Sequence, residues 1–435
     1  MGEPMTSPWR RLAAFLTVLL SAAIVAVLGL SVADGRIGSS PSATPSASGS
    51  PSPAPSASAS ASRDALAVFA EIEDQVVALR ELPAADIGPP DVIGRDALAA
   101  ILADELDATW TDEELAADNL AMRAMGLLTA DQDIRELIGM LYEEQVLGFY
   151  DFEAKRMVVV TDAGLTPVAL ITYAHEYTHA LQDAAFDTLA GHEATLGDDD
   201  AALARLSLEE GDATLVMIRW ALSSLPPEDL AGIGATPLPD TSGFPDWMVA
   251  QLELPYLAGF QFVLALQQSG GWGAVDDAYD APPASTEQLL HPDKYLAGEE
   301  PLVVEPLDLA GHMGAGWEEV PSTPIGEAMV GIWLQHLGVA DGTATDAAAD
   351  WGGDRLQVAS SGSEWAMAWT LAWDSATDAD EFADAYLETT KPAGMDTRLV
   401  RTSGTTTVVL HASTAAVLDR AGGALTATLT SSLVR

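Results

Sequence analysis

The stretch Ile171-Thr172-Tyr173-Ala174-His175-Glu176-Tyr177-Thr178-His179-Ala180-Leu181-Gln182-Asp183 constrains this chain most. His175 and His179 stand four residues apart, so a helix through them puts both imidazoles on one face, one turn above the other. Glu176 falls about 100° round the helix from His175. The residues around the two histidines are uncharged or apolar, which suits a buried helix. H-E-x-x-H is the sequence mark of a zinc-binding helix. Two imidazole nitrogens reach one tetrahedral ion at about 2.0–2.1 Å, and the glutamate acts as general base toward its water. The alternative is a helix carrying two incidental histidines.

Composition narrows the chemistry. The chain has no cysteine among its 435 residues, which removes disulfides, thiolate nucleophiles and Cys-containing zinc sites. Peptide deformylases carry H-E-x-x-H but need a Cys ligand, so they are excluded, and any metal must be held by His and carboxylates. The net charge of −46 excludes binding to a nucleic-acid backbone.

A catalytic zinc usually keeps three protein ligands and one open position. The metzincin pattern requires Gly three residues and His six residues after the second histidine. This chain has Gln182 and Ala185 there, and that class fails. His192 is one candidate third ligand. Glu210 is the stronger one: on a helix from about Asp200, the residues Leu203, Leu206, Glu210, Ala213, Met217 and Trp220 form one inward stripe. A carboxylate on that stripe needs a partner, either a metal or one of Arg205 and Arg219. Glu209 lies about 100° away beside Arg205 and Asp212 and is expected to be solvated.

With Glu210 on a later helix, the chain resembles the gluzincin zinc metallopeptidases, the thermolysin-like group. In that resemblance His175 and His179 match the histidine ligands, Glu176 the general base and Glu210 the glutamate ligand. Bacterial extracytoplasmic H-E-x-x-H proteins are similar over longer phrases: Gly148-Phe149-Tyr150-Asp151, His179-Ala180-Leu181-Gln182-Asp183, Glu210-Gly211-Asp212-Ala213, and Pro282-Pro283 to Tyr295. The likeness covers roughly 140–300. It departs from thermolysin in a longer loop before Glu210 and in lacking the Asn-Glu pair at that ligand. The resemblance implies Zn2+ as cofactor. It also implies a Tyr or His donor to the oxyanion from a segment after the third ligand, for which His291 and Tyr295 are the candidates. The alternative for His291 is a polar loop histidine that caps a helix or bonds backbone.

The rest of the chain supplies setting. Arg10 and Arg11 close a cytoplasmic start (1–11). The apolar run 12–33 would span about 33 Å as a helix and reads as a membrane anchor, or as a signal peptide cleaved after Ser31-Val32-Ala33. Residues 34–63, Ser/Pro/Ala-rich, read as a disordered linker. A mainly helical zincin-type domain is expected over 64–320. In it, helices are expected over 65–82, 91–106, from Thr111 with a Thr111–Glu114 capping box, and to about Gln145. A hairpin of 146–151 and 156–161 precedes the zinc helix; its edge strand either pairs with an extended peptide or only packs on that helix. A core helix runs over 247–268, with Tyr256 and Gln261 structural. A C-terminal α+β module over 321–435 is expected in the order β-β-α-β-β-α after a helix over 325–337. His312, His336 and His411 read as incidental, and Trp351 and Arg355 as core and ion-pair residues. The fold class is α+β. The expected function is an extracytoplasmic zinc metalloendopeptidase, membrane-tethered or secreted, acting on a protein or peptide substrate. The alternatives are a non-catalytic zinc-containing surface binding protein and a zinc hydrolase of a non-peptide envelope substrate.

Overall fold

The computed structural model describes residues 57–145, 148–160, 164–234, 240–401 and 404–428. The expected cytoplasmic start 1–11, the apolar run 12–33 and most of the linker lie outside the described residues. Helix α1 (Ala57–Arg80) leads, followed by strand β1 (Asp91–Ile93) and helices α2 (Arg95–Thr109), α3 (Asp112–Met125) and α4 (Ile134–Gln145). The capping box is present: the Thr111 side chain accepts from the Glu114 amide, and the Glu114 carboxylate accepts from the Thr111 amide. The helix expected over 91–106 is corrected at its start. Asp91–Ile93 pairs in parallel with Val158–Val160, and the helix begins only after Gly94. A partner that far along the chain is invisible to local periodicity.

Strands β2 (Gly148–Asp151) and β3 (Arg156–Val160) form the expected antiparallel hairpin, giving a three-stranded sheet in the order β1-β3-β2. Helix α5 (Pro167–Phe186) starts where the Thr166 hydroxyl accepts from the Ala169 amide and ends at Asp187, whose φ of 51° is left-handed. Every residue from Ile171 to Asp183 is buried. A helix enclosed on all sides has no polar stripe to show in its sequence. The short α6 (Thr188–Ala194) leads to α7 (Asp199–Ser224), itself buried from Ala202 through Ile218.

After α8 (Pro227–Gly234) comes α9 (Asp246–Gly270), the expected core helix, then α10 (Trp272–Asp280). By length and composition α9 could cross a membrane, and 44% of its apolar window is buried within the fold. It lies directly on α7 because two glycines face each other. A Cβ on Gly211 would overlap the Gly259 carbonyl, and one on Gly259 would overlap the Ser207 carbonyl oxygen.

Next come the short helices α11 (Thr286–Leu290), α12 (Pro292–Ala297) and α13 (Leu309–Met313), strand β4 (Glu318–Thr323), and helices α14 (Gly326–His336) and α15 (Asp341–Ala348). The remainder is β5 (Trp351–Ser361), β6 (Glu364–Trp373), α16 (Ala376–Glu388), β7 (Asp396–Arg401), β8 (Thr406–Ala412) and α17 (Ala415–Thr428), which is the expected β-β-α-β-β-α order. Its strands join β4 in a five-stranded antiparallel sheet, β4-β5-β6-β8-β7. The fold is α+β.

One apolar core fills the space between α1, α5, α7, α9 and α10, with Phe69, Tyr173, Met217 and Phe262 at its centre. A second runs from α2–α4 into the C-terminal sheet, joining Leu102, Trp110 and Met125 to Trp333, Trp369 and Phe382. Hydrogen bonds cross with it: Trp333 Nε1 donates to the Met125 carbonyl (2.9 Å), and His411 Nδ1 to that of Ala124 (2.7 Å). His411, expected to be incidental, is therefore a core residue. The Tyr386 hydroxyl faces its Nε2 at 3.0 Å, and burial pushes the imidazole down to about 4.

Candidate metal centre

Helix α5 supplies His175 and His179, and α7 supplies Glu210. The two Nε2 atoms are 3.0 Å apart, His175 Nε2 is 3.0 Å from Glu210 Oε2, and His179 Nε2 is 3.5 Å from the same oxygen. All three residues are at most 1% exposed. A tetrahedral zinc shell with bonds of about 2.0–2.1 Å holds its donor atoms roughly 3.3–3.4 Å apart. The observed spacings bracket that value, so the three donors fit one such ion.

Burial pushes Glu176 up to about 8. Burial also raises Glu210, but His179 and His175 beside it outweigh that and hold it at about 2. Burial lowers His179, but Glu210, Glu176 and Gln182 together outweigh it and raise the imidazole to about 9, whereas burial takes His175 down to about 4.

Glu176 is placed by the sheet. Its Oε2 accepts from the Tyr150 amide at 3.0 Å, and its Oε1 is buried without a partner among the described residues. Tyr150 lies on edge strand β2, and its hydroxyl donates to Asp183 on α5 (2.9 Å), so both ends of Tyr150 bind the H-E-x-x-H helix. Gly148 is required two residues earlier, where a Cβ would meet the Val158 carbonyl oxygen at 2.8 Å. Phe152, in the turn between β2 and β3, holds its ring 6.1 Å from that of His179 and 6.0 Å from that of His192.

Sequence reasoning missed Tyr256. Its ring lies 6.2 Å from that of His175, and its hydroxyl hydrogen-bonds the Glu210 carboxylate. Burial, with Glu210 and Glu176 nearby, holds the phenol well above its ordinary value, so it stays an O–H donor. The available signal was a hydroxyl inside an apolar helix, three residues before Gly259. The Gly211–Gly259 contact brings α9 close enough for Tyr256 to meet Glu210.

The other candidates have different partners. Glu209, expected to be solvated, is buried, with His192 Nε2 at 2.7 Å and Arg205 Nε at 3.1 Å. Gly191 makes room for the Arg205 guanidinium, which a Cβ there would strike. His192 thus pairs with Glu209, and Arg205 is not the partner of Glu210. Asp212 forms a fully buried ion pair with Arg80 (2.8 Å) and accepts from the Tyr279 hydroxyl (2.9 Å). His291 and Tyr295 are not brought onto the three ligand atoms. His291 Nε2 is 2.9 Å from Glu327 Oε1, and the Tyr295 hydroxyl donates to the Ala281 carbonyl (2.8 Å). Between them Lys294 places its ammonium among Glu287, Glu299, Asp350 and Asp374 at 2.6–3.4 Å, so the second convergent carboxylate group, Glu287, Glu299 and Asp374, already holds a cation.

Comparison with known proteins reaches only the C-terminal sheet. The family profile described as a domain of unknown function (DUF8575) matches residues 318–426, from β4 into α17. No curated protein and no solved structure matches the chain.

Proposed function

We propose that this protein is a zinc-dependent metallopeptidase of the gluzincin kind, acting outside the cytoplasm on a protein or peptide. The observation that carries the reading is the convergence of His175 Nε2, His179 Nε2 and Glu210 Oε2 within 3.0–3.5 Å, with the unpartnered Oε1 of Glu176 one helical position away. Bound there, zinc supplies Lewis acidity and makes water acidic near neutral pH. Glu176 takes the proton of the attacking water at Oε1 and delivers it to the leaving amine, while the Tyr150 amide holds Oε2 and fixes the carboxylate's direction. A carboxyl raised by burial suits both halves of that transfer. Tyr256 holds Glu210 through a phenol that does not ionise in the working range.

Metal analysis of the full-length protein is expected to give one zinc, and a peptide library is expected to be cleaved. Glu176→Gln should keep the metal and lose about 10²- to 10⁴-fold in rate. Absence of zinc, or unchanged cleavage by Glu176→Gln, would overturn the proposal. One observation favours a second reading, a purely structural zinc: the ligands and Glu176 are all nearly inaccessible, with Phe152 against His179. A structural site has no use for a buried carboxylate with a free oxygen. Under that reading Glu176→Gln changes neither metal content nor any hydrolysis.

A further inference from the structure

Gln182 is fully buried one turn after His179, and its amide orientation can be read from its neighbours. Nε2 lies 2.9 Å from the Glu209 carbonyl oxygen and 3.2 Å from Asp212 Oδ2. A carbonyl and an ionised carboxylate are acceptors only, so the NH2 group must face them. Oε1 then faces His179 Nδ1, 2.9 Å away. An acceptor at that distance requires the proton to sit on Nδ1. A neutral His179 therefore carries its lone pair on Nε2, the nitrogen turned toward His175 and Glu210.

We infer that Gln182 is the positioning residue that sets the coordinating nitrogen of His179. This rests on the metal reading above. The amide cannot turn over, because Asp212 is itself anchored by Arg80 Nε (2.8 Å) and the Tyr279 hydroxyl (2.9 Å). A second Arg80 nitrogen holds Asp276 at 2.7 Å. The relay runs from a ligand on α5 through α7 to α1 and α10, and each member is a donor or acceptor with one permitted orientation. His175 has no such device among the described residues, where its Nδ1 is buried without a hydrogen-bond partner. Ligand histidines are generally fixed by a partner on the second ring nitrogen, and losing that partner typically weakens metal binding about 10- to 100-fold. In this chain that role falls on a neutral amide three residues after the ligand, and His179 alone has it.

The test compares full-length wild type, Gln182→Leu and Gln182→Glu. Zinc affinity is read by chelator competition, fold by thermal melting, and the ring protons by NMR with 15N-histidine. Gln182→Leu removes the acceptor and should weaken zinc about 10- to 100-fold. Gln182→Glu keeps an acceptor at Nδ1 but sets a carboxylate against Asp212, so it should hold zinc better than the Leu variant while melting lower. A packing role alone would make affinity follow melting temperature. Zinc affinity of Gln182→Leu within twofold of wild type, or a wild-type His179 with no proton on Nδ1, overturns the inference. If wild type binds no zinc, the metal reading fails and the inference with it, whereas zinc binding that Gln182→Leu leaves unchanged overturns the inference alone.

Discussion

Removing the Glu210 carboxylate leaves two imidazole nitrogens 3.0 Å apart with no anion to join them around a dication. Glu210→Ala is therefore expected to lower zinc affinity by more than about 100-fold, beyond the loss caused by an outer partner, with chelator competition as the measurement. A second residue governs stability against pH. Asp354 is buried and accepts from the Ile325 amide, the Gly326 amide and Trp369 Nε1, and burial pushes its carboxyl up to about 7. Its unfolded value is about 4, so between those values the native chain holds a proton that the unfolded chain releases. That contribution is complete below about pH 4 and is lost as pH rises through 7. Lowered His411 and His175 act in the opposite direction in both proteins, so the readout is the difference: Asp354→Asn should lose less melting temperature than wild type between pH 5 and pH 8. Buried Asp200 and Glu287, also raised, act in the same direction as Asp354. At this scale the sequence was most legible where chemistry left few options. With no cysteine and seven histidines, the H-E-x-x-H pair and one inward glutamate nearly exhaust the ligand sets. Tyr256, Gln182 and Asp212 were not legible, because their roles arise from contacts between helices far apart in the chain. Glu209 misled for the same reason: its partner His192 comes from another helix.

Between elements, the closest approach is α7 on α9 at Gly211 and Gly259. Gly211→Ala places a methyl into backbone that has no side-chain freedom to yield, and overpacking of this kind costs about 1–3 kcal/mol. Because Gly211 adjoins Glu210, the same substitution should also reduce zinc content. Gly273→Ala is the control. It sits inside α10 with nothing within 4 Å of the added methyl, and it should be neutral or slightly stabilising. Calorimetry and metal analysis of both variants check the pair. Helix α3, with its Thr111–Glu114 capping box, was readable from local chemistry. Strand β4 was not: Glu318-Glu319-Val320-Pro321-Ser322-Thr323 carries charge and a proline, as an edge strand tolerates, and only its pairing with β5 makes it a strand.

For the whole molecule, the shared core means that 64–320 and 321–435 do not melt as independent bodies. A chain ending at 320 would strip Trp333, Trp369 and Phe382 from Leu102, Trp110 and Met125 and expose the acceptors at Ala124 and Met125. That truncation is expected to be insoluble or molten, whereas the intact chain should unfold in one calorimetric transition spanning both parts. Two separate transitions would contradict it. The enclosure of Ile171–Asp183 carries a kinetic consequence. If the ligands grip a cation, it can leave only when α5 and its neighbours part. Its residence time then reports the rate of local opening, and a chelator in excess should strip the protein at a speed set by the fold, independent of the chelator's strength.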